Sequence, residues 1–184
     1  MRPDPRKYAR PERERRFVLA GVPPGATGER RIVDRYLAGT RLRLRQVGQG
    51  PDAVRKLGQK VRPDEVDPRV LLHTTMYLAP AEFEALTALP AAVLVKRRSW
   101  LVLPGDRRLA IDAFDGELRG LALAEIELGD ETDAAGFEPP EWVLAEVTTD
   151  ERFTGGRLAV TSRAELRSAL AEAIGDDGAE RLLG

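Results

Sequence analysis

The chain has 184 residues, 42% of them hydrophobic and 32% charged, yet its formal net charge is only −1. That length suffices for one domain with its own core, and the near-neutral balance removes the usual electrostatic argument for a nucleic-acid partner. There is no cysteine, so disulfides and thiolate metal sites are excluded.

In chain order, the start MRPDPRKYAR is basic but lacks the apolar stretch of a signal peptide. PERERRFVLA (11–20) reads as a strand. VPPGATG (22–28) reads as loop, and Thr27 is predicted to cap a helix through about Tyr36. RYLAGTRLRLRQV reads as two strands around Ala38-Gly39, and VRKLGQKV (54–61) as another. VRPDEVDPR (61–69) is a polar loop with two prolines. LLHTTMYL (71–78) is a strand rich in β-branched and aromatic residues. APAEFEALTALP (79–90) is a helix with Pro80 near its start. LVKRRSWLVL (94–103) and RRLAIDAF (107–114) are strands joined by a turn at 104–106. FDGELRG is a turn, LALAEIEL (121–128) a strand, GDETDAAGFEPPEW a loop and VLAEVT (143–148) a short extended piece. Ser162 and Glu165 form a capping box that opens the helix RAELRSALAEAI, and DDGAERLL adds a last helix. Many strands and few helices predict an α+β fold built on an antiparallel sheet or barrel. No apolar run approaches the roughly 20 residues of a membrane span, so a soluble, cytoplasmic protein is expected.

Several chemistries lack their residues. The only serines are Ser99, Ser162 and Ser168, the only histidine is His73, and no G-x-S-x-G turn supports a nucleophilic triad. There is no phosphate-binding G-x-x-x-x-G-K-[ST] loop, and Gly155–Gly156 reads as a turn. His73, standing alone, is expected to be structural or exposed. A metal site would therefore be built from carboxylates, which suits hard cations such as Mg²⁺ or Mn²⁺.

The charged residues follow a period of two. In PERERRFVLA, Glu12, Glu14 and Arg16 share one strand face, while Arg13, Arg15 and Phe17 share the other. Arg41, Arg43 and Arg45 alternate with Leu42 and Leu44. Lys56 and Lys60 share a face, as do Lys96 and Arg98. Glu125 and Glu127 alternate with aliphatic residues, and Asp112 lies between Ile111 and Ala113. Neighbours on a face lie about 7 Å apart, where like charges repel by roughly 2 kcal/mol at an effective dielectric of about 20. A row of arginines calls for an anion and a row of glutamates for a cation. If the charged faces meet, the sheet is a barrel turned inside out, with aliphatic faces covered by helices. Its natural occupant is a polyanion such as a phosphate chain, bridged to the carboxylates by a divalent metal. Solvated faces, or salt-bridge ladders without a ligand, are the competing reading.

These residues together resemble the CYTH superfamily, the triphosphate tunnel metalloenzymes. Glu12-x-Glu14-x-Arg16 looks like its N-terminal E-x-E-x-K signature, with arginine in place of lysine. RLRLR resembles its R-x-R strand, and Lys60 falls where a tunnel lysine follows. LVKRRSW resembles its K-x-R strand. LAIDAFDGELRGLALAEIEL resembles its D-x-F-x-G…E-x-E segment, and EVTTDERFTGG its closing E-V-T-x-D stretch. The likeness spans about residues 10–160.

The resemblance implies a single domain over 1–184. Its core, about 10–160, is an eight-stranded antiparallel tunnel with a charged interior, followed by C-terminal helices over 162–183. It implies divalent-metal-dependent hydrolysis of a triphosphate, most often inorganic triphosphate. A class IV adenylate cyclase, a nucleoside or thiamine triphosphatase, and a non-catalytic polyphosphate-binding module are the alternatives. Substrate phosphates would be bound by Arg16, Arg41, Arg43, Arg45, Lys56, Lys60, Lys96 and Arg98. The metal, Mg²⁺ or Mn²⁺, would be held by Glu12, Glu14, Asp112, Glu125 and Glu127. Catalytic roles fall to Arg16, Lys60 and Glu127. Many members of the family carry alternating acids where this chain has His73 and Thr75; a shifted register would offer Asp64, Glu65 or Asp67 instead. The partner is a small triphosphate or polyphosphate, with no nucleic acid and no membrane, and a homodimer is left open.

Overall fold

Among the described residues nine strands form the sheet: β1 (Arg10–Leu19), β2 (Thr27–Leu37), β3 (Leu42–Val47), β4 (Val54–Val61), β5 (Val70–Tyr77), β6 (Ala91–Leu103), β7 (Arg107–Phe114), β8 (Ala122–Leu128) and β9 (Val143–Glu146). The computed structural model describes residues 8–61, 70–129 and 131–184. The strands are hydrogen-bonded in the order β5-β4-β3-β2-β6-β7-β8-β1-β9, and a further β5–β1 pairing closes eight of them into an antiparallel barrel. Closure removes the sheet edges that would otherwise be open to aggregation. On the side of β1 away from β8, β5 pairs with Arg10 to Arg13 and β9 with Phe17 to Leu19.

Helices cover the aliphatic outer faces. Helix α1 (Pro80–Thr87) starts with Pro80, and Glu82 accepts a hydrogen bond from the Ala79 N–H at 2.7 Å. Its Phe83 packs on Leu37 of β2 and Leu44 of β3. Beyond β8 lies α2 (Glu131–Gly136), followed by Phe137, which joins Phe17, Leu19, Leu109, Ile111 and Ile126 in a second cluster. Arg15 caps that cluster from outside, its guanidinium lying 5.2 Å from the Phe17 ring centroid and 5.5 Å from that of Phe137. The inverted barrel expected from the strand alternation is therefore present.

The C-terminal segment forms α3 (Gly155–Leu158), α4 (Arg163–Ile174) and α5 (Asp176–Leu183). The expected capping box opens α4, where Ser162 accepts from the Glu165 N–H and Glu165 accepts from the Ser162 N–H at 2.8 Å. Leu166, Leu170 and Leu183 reach Val18, Leu94, Phe114 and Leu123, which are inward-facing residues of β1, β6, β7 and β8. One end of the barrel is thus filled with apolar side chains.

Two sequence expectations need correction. Residues 27–36 are not a helix but most of β2, which pairs with β6 from Thr27 to Leu37 and with β3 from Ile32 to Tyr36. The β-branched pair Ile32–Val33 and Tyr36 suit a strand, and ladder pairing on both sides outweighs a threonine cap. The stretch 129–142 is not all loop, since it contains α2. Within FDGELRG the turn is a short 3₁₀ helix, Gly116–Leu118. Of the polar loop expected at 61–69, Val61 ends β4 and 62–69 lie outside the described residues.

Candidate active site

The inward faces of β1, β3, β4, β6 and β8 surround a cavity of about 540 Å³. Period-two alternation sends Glu12, Glu14 and Arg16 inward together, as it does Arg43 with Arg45, Lys96 with Arg98, and Glu125 with Glu127. Arg41, in the turn before β3, also reaches the cavity, and Lys60 enters from β4. Seven cations and four carboxylates line it among the described residues.

Two sequence-chosen residues lie elsewhere. Lys56 does not line the cavity; its ammonium sits 5.0 Å from the centroid of the Tyr77 ring. Asp112 is 1% exposed and stands behind the cation wall. Its Oδ2 accepts from Lys96 Nζ at 2.5 Å and Arg98 Nη2 at 2.6 Å, and its Oδ1 accepts from Arg98 Nε at 2.6 Å. With both oxygens occupied by cations, it orients the clamp and is not arranged as a metal ligand.

Each glutamate of the wall has a cationic partner. Lys60 bridges Glu12 at 3.0 Å and Glu14 at 2.5 Å. Arg98 Nη2 donates to Glu125 at 2.8 Å, and Arg16 Nε donates to the same carboxylate at 3.1 Å. Arg10 donates to Glu127 at 2.7 Å, a pair about half in solvent. The Glu12 carboxylate lies 2.7 Å from His73 Nδ1 as its hydrogen-bond partner, while His73 Nε2 meets the Thr75 hydroxyl at 2.9 Å. The lone histidine, expected to be structural or exposed, is a wall residue. Asp64, Glu65 and Asp67 lie outside the described residues.

The electrostatics follow from this pairing. Burial alone would raise the Glu12 carboxyl, but hydrogen bonds from His73 and Lys60 bring it down to about 2. Burial likewise opposes ionisation of Glu125, and Arg16 and Arg98 override it, leaving the group well below the usual carboxylate range. Asp112 is held low against its burial by Lys96 and Arg98. Burial pulls the Lys96 ammonium down, and Asp112 offsets only part of that. Glu12, Glu125 and Asp112 are thus held as carboxylates by partners that are in place before any ligand arrives.

One inward acid escaped the sequence reading. Asp34 of β2 is fully buried and accepts two hydrogen bonds from Arg45, Nε to Oδ1 at 2.6 Å and Nη2 to Oδ2 at 2.7 Å. Nothing local in the sequence marks it, since a single acid between Val33 and Arg35 declares no charged face.

Comparison with known proteins fixes the family. An inorganic triphosphatase of Nitrosomonas europaea is 30% identical over 155 residues, covering 82% of this chain and 97% of that protein. The chain belongs to the inorganic triphosphatase family. A second inorganic triphosphatase, from Acetivibrio thermocellus, is 48% identical over a shorter stretch of 48 residues, 26% of this chain and 30% of its own. A solved inorganic triphosphatase superposes with a TM-score of 0.58 at 28% identity, over 82% of this chain and 95% of its own. A Hippeastrum protein, described as a putative adenylyl cyclase with dominant triphosphatase activity, shares the fold at 13% identity, with a TM-score of 0.51 over 68% of this chain and 83% of its own. No family model matches the sequence.

Proposed function

We propose that this family member hydrolyses inorganic triphosphate to pyrophosphate and orthophosphate with the help of a divalent cation, as a CYTH-type tunnel enzyme. The observation that carries the reading is the convergence, among the described residues, of seven cations on one cavity whose carboxylates stand among them. Three linked phosphates present oxygens on every side, which matches a ring of donors on opposed strands. A clamp of this kind works by positioning and by stabilising charge as the terminal phosphoryl group departs.

The donor chemistry fits a divalent ion. Among the described residues no three acid or histidine groups form a cage. Mg²⁺ seldom needs one, because it is held by one or two carboxylates together with substrate phosphates. Glu14 and Glu127 are direct cross-strand partners on β1 and β8, with Glu12 and Glu125 each two residues away. One or two of these four, together with substrate phosphates, would hold the ion, Mg²⁺ or Mn²⁺. When bound, it supplies charge neutralisation across phosphate oxygens and an acidified water.

The chain's own residues do the rest. Arg43, Arg45, Lys96 and Arg98 grip the phosphate chain from one side, and Arg16, Arg41 and Lys60 complete the ring. Triphosphate oxygens exchange places with the carboxylates now paired to Lys60, Arg16 and Arg98, which frees those carboxylates. Glu127, the most exposed of the four, orients the attacking water in line with the terminal phosphorus. Water adds its oxygen to that phosphorus as the bond to the bridging oxygen breaks, and pyrophosphate leaves with the electron pair.

The test is phosphate release from purified protein given inorganic triphosphate, ATP or thiamine triphosphate, each with Mg²⁺, Mn²⁺ or chelator. Fast release from inorganic triphosphate that chelator abolishes is expected. Preferential turnover of ATP would transfer the assignment to a nucleotide-directed enzyme. Binding of triphosphate without release from any compound would reduce the site to a binding module.

A further inference from the structure

Asp34 belongs to a two-rung ladder between β2 and β3. In register, Asp34 faces Arg45 and Tyr36 faces Arg43. The carboxylate takes Arg45 side-on through Nε and Nη2 and lies 3.7 Å from Arg43 Nε. That Arg43 Nε is buried without a hydrogen-bond partner, so Asp34 attracts it without satisfying it. Tyr36 is pressed against the start of α3, where a Cβ at Gly155 would collide with its hydroxyl. Asp34 does not line the cavity, whereas Arg43 and Arg45 do. The side-on pairing leaves the far amino group of Arg45 to face a ligand.

We propose that Asp34 is a positioning residue that aims Arg45 and Arg43 while tempering the positive charge of the clamp, so that the polyanionic product leaves. The inference rests on the triphosphatase reading. Among the described residues, seven cations lining the cavity, with Arg10 on Glu127, stand against four wall carboxylates with Asp34 and Asp112 behind them, a formal excess of two positive charges. Losing Asp34 raises that excess to three directly beside the arginines. An added unit charge at this range acts on every charge of the phosphate chain, whereas the lost orientation is worth one hydrogen bond. The charge effect is the larger, and its sign is distinctive. A neutral residue at 34 tightens anion binding and slows turnover, while a purely structural aspartate leaves affinity unchanged or weakens it.

The experiment is calorimetry with inorganic triphosphate, and separately with pyrophosphate, in chelator so that nothing turns over. It compares wild type, Asp34→Asn and Asp34→Glu, with melting temperatures recorded alongside. Asp34→Ser serves as the neutral variant if the asparagine protein does not fold, since a hydroxyl and a water fill the space of the carboxylate. At least tenfold tighter binding of both anions by the neutral variant is expected, with at least tenfold lower kcat under metal and stronger inhibition by pyrophosphate. Asp34→Glu, which keeps the charge, should restore affinity to within about threefold. Equal or weaker affinity in a folded neutral variant overturns the proposal, as does failure of every neutral variant to fold, which would make the role structural. If wild type itself does not bind triphosphate, the triphosphatase reading falls first, and the two failures remain distinct.

Discussion

The barrel interior has two halves built on the same strand faces. Along β1 the inward residues run Glu12, Glu14, Arg16 and then Val18; along β8 they run Glu127, Glu125 and then Leu123. On β6, Arg98 and Lys96 give way to Leu94, and on β7 Asp112 gives way to Phe114. Within two residues on each strand the lining changes from charged to fully apolar. The apolar half is packed by Phe153, Leu158, Leu166 and Leu170. The charged half stays open because like charges on one strand repel, and Arg16, Arg45, Lys60, Lys96 and Arg98 are each held by a carboxylate. Stability and function are thus carried by different halves of one structure. Burying charges in pairs is roughly neutral for stability, whereas burying leucine and phenylalanine supplies the folding energy.

That division can be broken or sharpened by substitution. The largest effect is expected from Glu125→Gln with Glu127→Gln, which removes the carboxylates assigned to the metal and the water. Metal-dependent phosphate release should fall by about 10³-fold or more, with triphosphate in chelator bound at least as tightly as by wild type, since two negative charges leave the wall. Unchanged turnover would dismiss the carboxylate assignment. In the apolar half, Leu170→Ala leaves a cavity at a fully buried position and should cost about 2–5 kcal/mol in denaturant unfolding. KM for triphosphate should not move, and a shifted KM would show that the halves are coupled.

A smaller effect is expected from acid. Asp34 is depressed from 3.8 to about 2 because Arg45 and Arg43 outweigh its burial. A carboxyl with a lowered folded-state pKa stabilises the protein fully above its unfolded value and loses that contribution as pH falls through the folded one. Unfolding free energy should therefore drop by about 2 kcal/mol from this group between about pH 4 and pH 2. Asp34→Asn should flatten that part of the pH–stability curve, and an unchanged curve would contradict the pairing. The smallest effect is expected from Lys56→Ala: with its ammonium over Tyr77 and away from the cavity, KM should stay within about twofold in steady-state assays.

Much of this was legible in the sequence, for a physical reason. A period of two cannot be disguised, so Glu12-x-Glu14-x-Arg16, Arg43-x-Arg45, Lys96-x-Arg98 and Glu125-x-Glu127 each declared a face. Opposed rows of one sign then required a shared interior. What alternation does not give is reach. Lys56 shares a face with Lys60, yet its flexible stem carries the charge to an aromatic ring, and Asp112 shares the inward direction but is walled off by the longer Lys96 and Arg98. Asp34 was hidden for another reason. Its segment, GERRIVDRYL, carries no run of like charge, and a single acid between Val33 and Arg35 gives no signal until ladder pairing with β3 brings Arg45 opposite. The apolar plug was foreshadowed only by the capping box of α4, since nothing local says which end of a barrel a helix will cover.

The central claim is that the charged half is a phosphate clamp, and Arg43 tests it most cleanly. Its removal leaves the Asp34–Arg45 pair intact, so no buried carboxylate is orphaned. Calorimetry of wild type and Arg43→Ala with inorganic triphosphate in chelator should show binding weakened by about 10- to 100-fold, as expected for a lost charge-assisted contact to phosphate. Equal affinity of the two proteins would mean that triphosphate does not occupy this cavity.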